Sequence, residues 1–265
     1  MLIGKSLMKT RKNPSWMPHP DVSVDAAFSN QVWMADVLQR VGLLAPHCYG
    51  ALANGAPNLS RSHCQYRAII MRRGFERDAF ALLSKVPKDC ISVMFTAVIP
   101  GELQKRPFKQ SEVGFFRHYI SKRLKMSEKI VDFIGVYEAD YLSGEDRSGW
   151  VLTLHGVATV KASNFRSASR AVHELLGLTS NAIAYRPVLV RQIHDLAGAL
   201  RYIFKSFSAP SIVERASWFG KTENGKQRRF SRKLRLKTPQ LRQLSKSLVK
   251  ESLDERVIWS SRRAR

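Results

Sequence analysis

A chain of 265 residues, 44% of them apolar, is long enough to bury a core and too apolar to be disordered. Its 44 Lys and Arg against 21 Asp and Glu leave a formal charge of +23, which is costly on a compact surface unless a polyanion relieves it. No apolar run reaches the roughly 18 residues of a transmembrane helix, which disfavours a membrane partner and leaves nucleic acid as the expected polyanion. Lys5, Lys9, Arg11 and Lys12 make the N-terminus basic, but no apolar core of signal-peptide length follows them. Cys48, Cys64 and Cys90 are odd in number and widely spaced, which suits a reducing compartment, so a cytoplasmic protein is expected.

Taken in chain order, residues 1–20 are basic and carry Pro14, Pro18 and Pro20, and are expected to lack regular structure. Ser23 or Asp25 then caps a helix to about Val41, with Phe28, Val32, Leu38 and Val41 as its apolar stripe and Gly42 to end it. A loop over 45–62 precedes a second helix over about 65–85, interrupted or bent near Gly74. Between Pro87 and Pro100 the β-branched run 90–99 predicts a buried strand. A helix over 108–125 follows, and then strands over 130–138 and 150–160, which flank a Gly/Ser/Asp loop as an antiparallel hairpin. A helix over 164–178, a strand over 187–193 and a helix over 195–207 complete the order β-α-β-β-α-β-α. That order predicts an α+β domain with a mainly antiparallel sheet and flanking helices.

The segment after that core changes in composition. From Arg201 onward there are 18 Lys or Arg against 5 Asp or Glu, so this quarter of the chain holds +13 of the +23. Its densest run contains Lys226, Arg228, Arg229, Arg232, Lys233, Arg235 and Lys237, expected to contact nucleic-acid phosphates, although a charge run alone is usually a solvated face. Residues 239–253 could form an amphipathic helix through Leu241, Leu244 and Leu248. Four segments are therefore expected: a basic N-terminus (1–20), a helical N-terminal segment (21–88), the α+β core (89–210) and a basic C-terminal extension (211–265).

Within the core, four stretches carry a family likeness: Ser92–Val98 (SVMFTAV), Gly135–Glu138 (GVYE), the Trp-led strand Trp150-Val-Leu-Thr-Leu-His-Gly-Val157, and Tyr202-Ile-Phe-Lys205. Over about residues 90–210 their order and spacing resemble the rolling-circle replication initiators of plasmids and phages, members of the HUH endonuclease superfamily. In that family a Trp-led strand holds His-hydrophobic-His. Side chains at i and i+2 of a strand share a face, so the two imidazoles meet one metal. Here His155 stands at the second position and Thr153 at the first.

The resemblance implies an α+β nuclease core. Tyr202 would be the nucleophile, and Lys205 would favour its phenolate or contact phosphate. His155, Glu138 and Thr153 would surround a divalent Mg²⁺ or Mn²⁺. Attack by the tyrosine would leave a 5′-phosphotyrosine and a free 3′-OH that primes synthesis. It further implies origin DNA with a hairpin-borne nick site as substrate, and a host helicase, polymerase and single-strand binding protein as partners. Thr153 in place of histidine supports an alternative, a Rep-like DNA-binding protein that has lost cleavage. A basic RNA-binding protein would explain the charge but not the order of strands and helices.

Each residue also has a plainer reading. His155 alone on an apolar strand reads as a core histidine, and Glu138 as a solvated or Arg-paired strand end. A second Tyr-x-x-Lys occurs at Tyr119–Lys122. Tyr202 and Lys205 lie off the apolar stripe formed by Leu196, Ala199, Leu200, Ile203, Phe204 and Phe207, whereas a packing tyrosine would sit within it. His47-Cys48 and His63-Cys64 lack the paired spacing of a zinc site.

Overall fold

In a computed structural model of the chain the described residues are 23–44, 50, 53, 64–99, 103–105, 107, 110–144, 148–179, 187–207, 212–221, 223–224, 227–248 and 253–262. The expected basic N-terminus, most of the loop over 45–62, His47, Cys48, His63 and Lys226 lie outside them.

Helix α1 spans Val24–Arg40, and its N-cap is Ser23, whose side chain accepts from the Ala26 amide at 3.0 Å. Helix α2 spans Gln65–Leu83 and continues through Gly74, where the sequence predicted a break or bend. The core then runs β1 (Cys90–Val98), α3 (Gln110–Met126), β2 (Ile130–Ser143), β3 (Ser148–Lys161), α4 (Phe165–Leu176), β4 (Val188–Gln192) and α5 (Leu196–Ile203). The helix expected over 195–207 stops at Ile203, and a tighter 3₁₀ turn, Lys205–Phe207, takes its place. Beyond it come β5 (Glu214–Lys221), β6 (Gln227–Leu234), α6 (Thr238–Leu248), a 3₁₀ turn at Asp254–Arg256, and β7 (Val257–Ser261).

The fold is α+β, a mostly antiparallel sheet flanked by helices; among the described residues the sheet has seven strands and the helices number six. The strand order is β4-β1-β3-β2-β5-β6, and β7 also pairs with β2. The outer edge of β2 is thus shared: β7 covers Asp132–Val136 in antiparallel register, and β5 takes Tyr141–Ser143 in parallel. β3 lies between β1 and β2, and all twelve of its interior residues are buried. A strand covered on both faces reads as the unbroken apolar run seen in the sequence.

The two faces have separate cores. On one, Phe95, Phe133 and Leu154 pack with residues of α1, α3, α4 and α6, such as Met34, Leu124, Val172 and Leu244. On the other, Ile134, Val136 and Val157 pack with Leu200, Ile203 and Phe204, and with Ala79 and Leu83 of α2. The segments expected to flank the core therefore pack on its sheet: α1 and α2 lie on opposite faces, and β5, β7 and α6 join from the C-terminal side. No helix among the described residues is long and apolar enough to cross a membrane.

Candidate functional site

The site forms on the α2/α5 face of the sheet. Register sets Thr96 opposite His155 and Glu138 opposite Thr153, on β1, β3 and β2 respectively. The i, i+2 rule then places Thr153 and His155 on one face, and Thr153 Oγ1 lies 3.5 Å from His155 Nε2. Thr153 donates its hydroxyl proton to the Glu138 backbone carbonyl at 3.2 Å. His155 Nδ1 is 2.9 Å from Thr96 Oγ1, so the two share one proton between them.

Glu138 is the hub. Its Oε1 accepts from Lys205 Nζ at 2.7 Å, and its Oε2 lies 2.7 Å from His155 Nε2. That carboxylate is buried (1% exposed), and so is the imidazole, whereas Lys205 reaches it from a partly open side. Burial alone would raise the Glu138 pKa, but the imidazole and the ammonium beside it hold it down at about 2. Two residues along β2, Asp140 is also buried and paired with Arg215 of β5. Burial and the neighbouring Glu138 charge push the Asp140 carboxyl up, against the pull of Arg215.

Tyr202 closes the site from α5. Asp195 caps that helix by accepting from the Gly198 amide at 3.0 Å, and Leu200, Ile203 and Phe204 are buried beneath it. The face left over carries Tyr202, 38% exposed. Its ring meets the His155 ring edge-on with centroids 5.1 Å apart, and Lys205 Nζ stands 4.8 Å from its centroid. The five residues nominated for catalysis and metal binding are thus brought together. Tyr119, of the second Tyr-x-x-Lys, packs against the opposite face, with Arg123 over its ring.

A cleft of about 670 Å³ opens beside this cluster, lined by Thr96, Asp140, Thr153, His155, Tyr202 and Arg215 among others. Met94, Val98 and the half-exposed Leu189 supply an apolar wall, and Arg191 and Arg215 supply cations. Sequence reasoning missed Thr96, Asp140, Arg191 and Arg215.

The nominated basic run falls largely on a strand. Arg228, Arg229, Arg232 and Lys233 lie on β6, with Arg235 and Lys237 just after it. Arg232, Lys233, Arg235 and Lys237 are exposed. Lys233 is the cross-strand partner of Arg215, so the two share one face of the sheet.

A divalent ion has a short ligand set here. Among the described residues no group of three or more His, Cys, Asp and Glu forms a metal cluster. One feature does fit a cation: Glu138 Oε2 is buried, has no aligned hydrogen-bond partner, and faces His155 Nε2. Compared with known proteins, the chain matches no family model, no curated protein and no solved structure. What fold and site define is an α+β domain with a buried His–Glu pair, joined by a partly exposed lysine, behind a surface tyrosine.

Proposed function

We propose that the chain is a replication initiator of the rolling-circle type, with an HUH-like core that cuts and rejoins one DNA strand through Tyr202. The observation that carries this reading is the packing of Tyr202 against His155 and Lys205 at the mouth of a cleft rimmed by cations. Tyr202 Oη attacks the phosphorus of a phosphodiester in the cleft. A P–O bond to the tyrosine forms and the bond to the 3′-oxygen breaks; the phenol proton passes to solvent and the departing 3′-oxygen takes one up. Lys205 and Arg215 offset phosphate charge, and reversal of the step by the 3′-OH rejoins the strand.

His155 and Glu138, with Thr153 beside them, are the residues that would hold Mg²⁺ or Mn²⁺, which would supply further charge offset at the phosphate. Origin DNA is the substrate in this reading, with the exposed cations of β6 on its backbone. A host helicase, polymerase and single-strand binding protein would do the unwinding and synthesis. A second reading, a Rep-like DNA binder without cleavage, draws on the Thr153 hydroxyl, whose proton is committed to the Glu138 carbonyl.

The test is incubation of the full chain with single-stranded and supercoiled origin DNA in Mg²⁺ or Mn²⁺, beside Tyr202→Phe. Nicked product with protein on its 5′ end, absent in the variant, supports the nuclease. Origin binding by the wild type without any cut in either metal supports the binder.

A further inference from the structure

Among the ionic side chains buried outside the cleft are Arg72 at 2%, Glu76 at 1% and Arg256 at 1% exposure. Charges are taken out of water only at a cost, which is offset when each is paired and hydrogen-bonded. Arg72 donates from Nε to Glu76 Oε1 at 2.7 Å, one turn along α2, and from Nη2 to the Arg201 carbonyl at 3.2 Å. Arg256 donates from Nη1 to the Ser206 carbonyl, also at 3.2 Å.

Those two carbonyls bracket the reactive segment, since Arg201 immediately precedes Tyr202 and Ser206 immediately follows Lys205. The Arg201 carbonyl lies in the last turn of α5, where carbonyls lack intrahelical partners and carry the negative end of the dipole, so the Arg72 guanidinium satisfies both deficits; the Ser206 carbonyl lies in the 3₁₀ turn that follows. The same segment is tied down elsewhere. Ser206 Oγ donates to the Tyr137 carbonyl at 3.4 Å. Phe75 of α2 stacks on Phe204 and meets Phe207 edge-on, with ring centroids 5.8 and 5.7 Å away.

We propose that Arg72 and Arg256 are positioning residues, clamping the backbone on both sides of Tyr202–Lys205 so that these side chains meet His155 and Glu138. The clamp gives α2 and the C-terminal turn a role in the site. Its activity arm rests on Tyr202 being the nucleophile; its geometric arm does not.

The test uses the full chain and the double variant R72M/E76L, which removes both buried charges together and leaves neither unpaired. The first readout is the His155 ring-proton resonances, which sense the Tyr202 ring and are assigned with Tyr202→Ala. They are expected to move toward their Tyr202→Ala positions. The second is strand cleavage, expected to lose about 100-fold in kcat with KM unchanged, the scale of an ångström-sized misplacement. Arg72→Lys, which keeps a single cationic donor, should restore part of both.

Resonances that stay at wild-type positions in a folded R72M/E76L overturn the clamp, as does unchanged kcat after they move. If they move but the wild type cuts nothing, the clamp stands and the nuclease reading falls. Should R72M/E76L not fold, Arg256→Met is read by the same two measurements at the other end of the segment.

Discussion

Lys205 and Glu138 are joined by a 2.7 Å ion pair whose carboxylate is 1% exposed, while the ammonium keeps 20% of its surface open. The pair links the helical segment to the strand and places a positive charge beside both the buried carboxylate and the Tyr202 ring. Lys205→Met would leave Glu138 buried with only His155 to offset it. A loss of about 3 kcal/mol in urea unfolding is expected, the scale for breaking a buried pair. Glu138→Gln with Lys205→Met should cost less than the two single changes added, because the double variant no longer buries the charge. Strict additivity would mean that solvent already screens the pair.

The acid limb of stability should carry two opposing contributions. The folded pKa of Glu138, about 2, lies below its ordinary value of 4.5. Its stabilisation is therefore present above about pH 4.5 and lost as pH falls toward 2. Asp140 is shifted upward, chiefly by burial and then by the Glu138 charge, so its contribution is fully present only below its ordinary pKa of 3.8. That contribution fades as pH rises through the raised value. Thermal unfolding between pH 5 and 2 should fall less steeply in Glu138→Gln than in wild type, and more steeply in Asp140→Asn. The same slope in all three proteins would contradict the assignment.

The two Tyr-x-x-Lys sequences offer an internal control. Tyr202 is 38% exposed on the cleft side, and removing its hydroxyl should change stability by less than about 0.5 kcal/mol, as at other surface positions. Tyr202→Phe should nevertheless abolish the covalent protein–DNA product. Tyr119→Phe, on the opposite face of the sheet, should leave that product in place. Both are checked on a denaturing gel with 5′- and 3′-labelled strands. Loss of product in Tyr119→Phe alone would move the nucleophile.

How much of this was legible in the sequence depended on what each strand buries. β1 to β3 announce themselves as apolar runs because their side chains fill two cores. β6, Gln227–Leu234, carries Arg228, Arg229, Arg232 and Lys233 among its eight residues and has no apolar run to read. It is held as a strand by backbone pairing with β5 along all eight residues. β7 is only five residues long, yet it supplies Val257 and Ile258 to the cores.

The site followed the same logic. Glu138, Thr153, His155, Tyr202 and Lys205 sit in stretches whose spacing could be matched to a pattern. Asp140 escaped because the strand was expected to end at Glu138. It continues to Ser143, held by β3 and β5, and alternation from Glu138 would then have placed Asp140 on the cleft face. Arg215 lies on β5, which the sequence did not announce, and Thr96 was hidden within an apolar run. No local signal shows that Arg72 reaches the Arg201 carbonyl, because that contact is made only when α2 packs on α5.

Gly156 follows His155 directly, and a side chain there would crowd its neighbours. A Cβ at this position would fall 2.3 Å from the Phe95 ring and 2.5 Å from the Ile134 backbone carbonyl. The ring can swing aside; the carbonyl belongs to the neighbouring strand and cannot. Gly156→Ala must therefore push β3 away from β2 where His155 faces Glu138, costing about 1–3 kcal/mol as other overpacked cores do. Since Val136 is the β2 partner of His155 and Gly135 that of Gly156, the widening falls within two residues of Glu138. Two outcomes are expected together in Gly156→Ala: a lower unfolding midpoint and displaced His155 ring resonances. A lower midpoint with His155 unmoved would mean that the strain is absorbed by Phe95 and the far face, leaving the site's geometry intact.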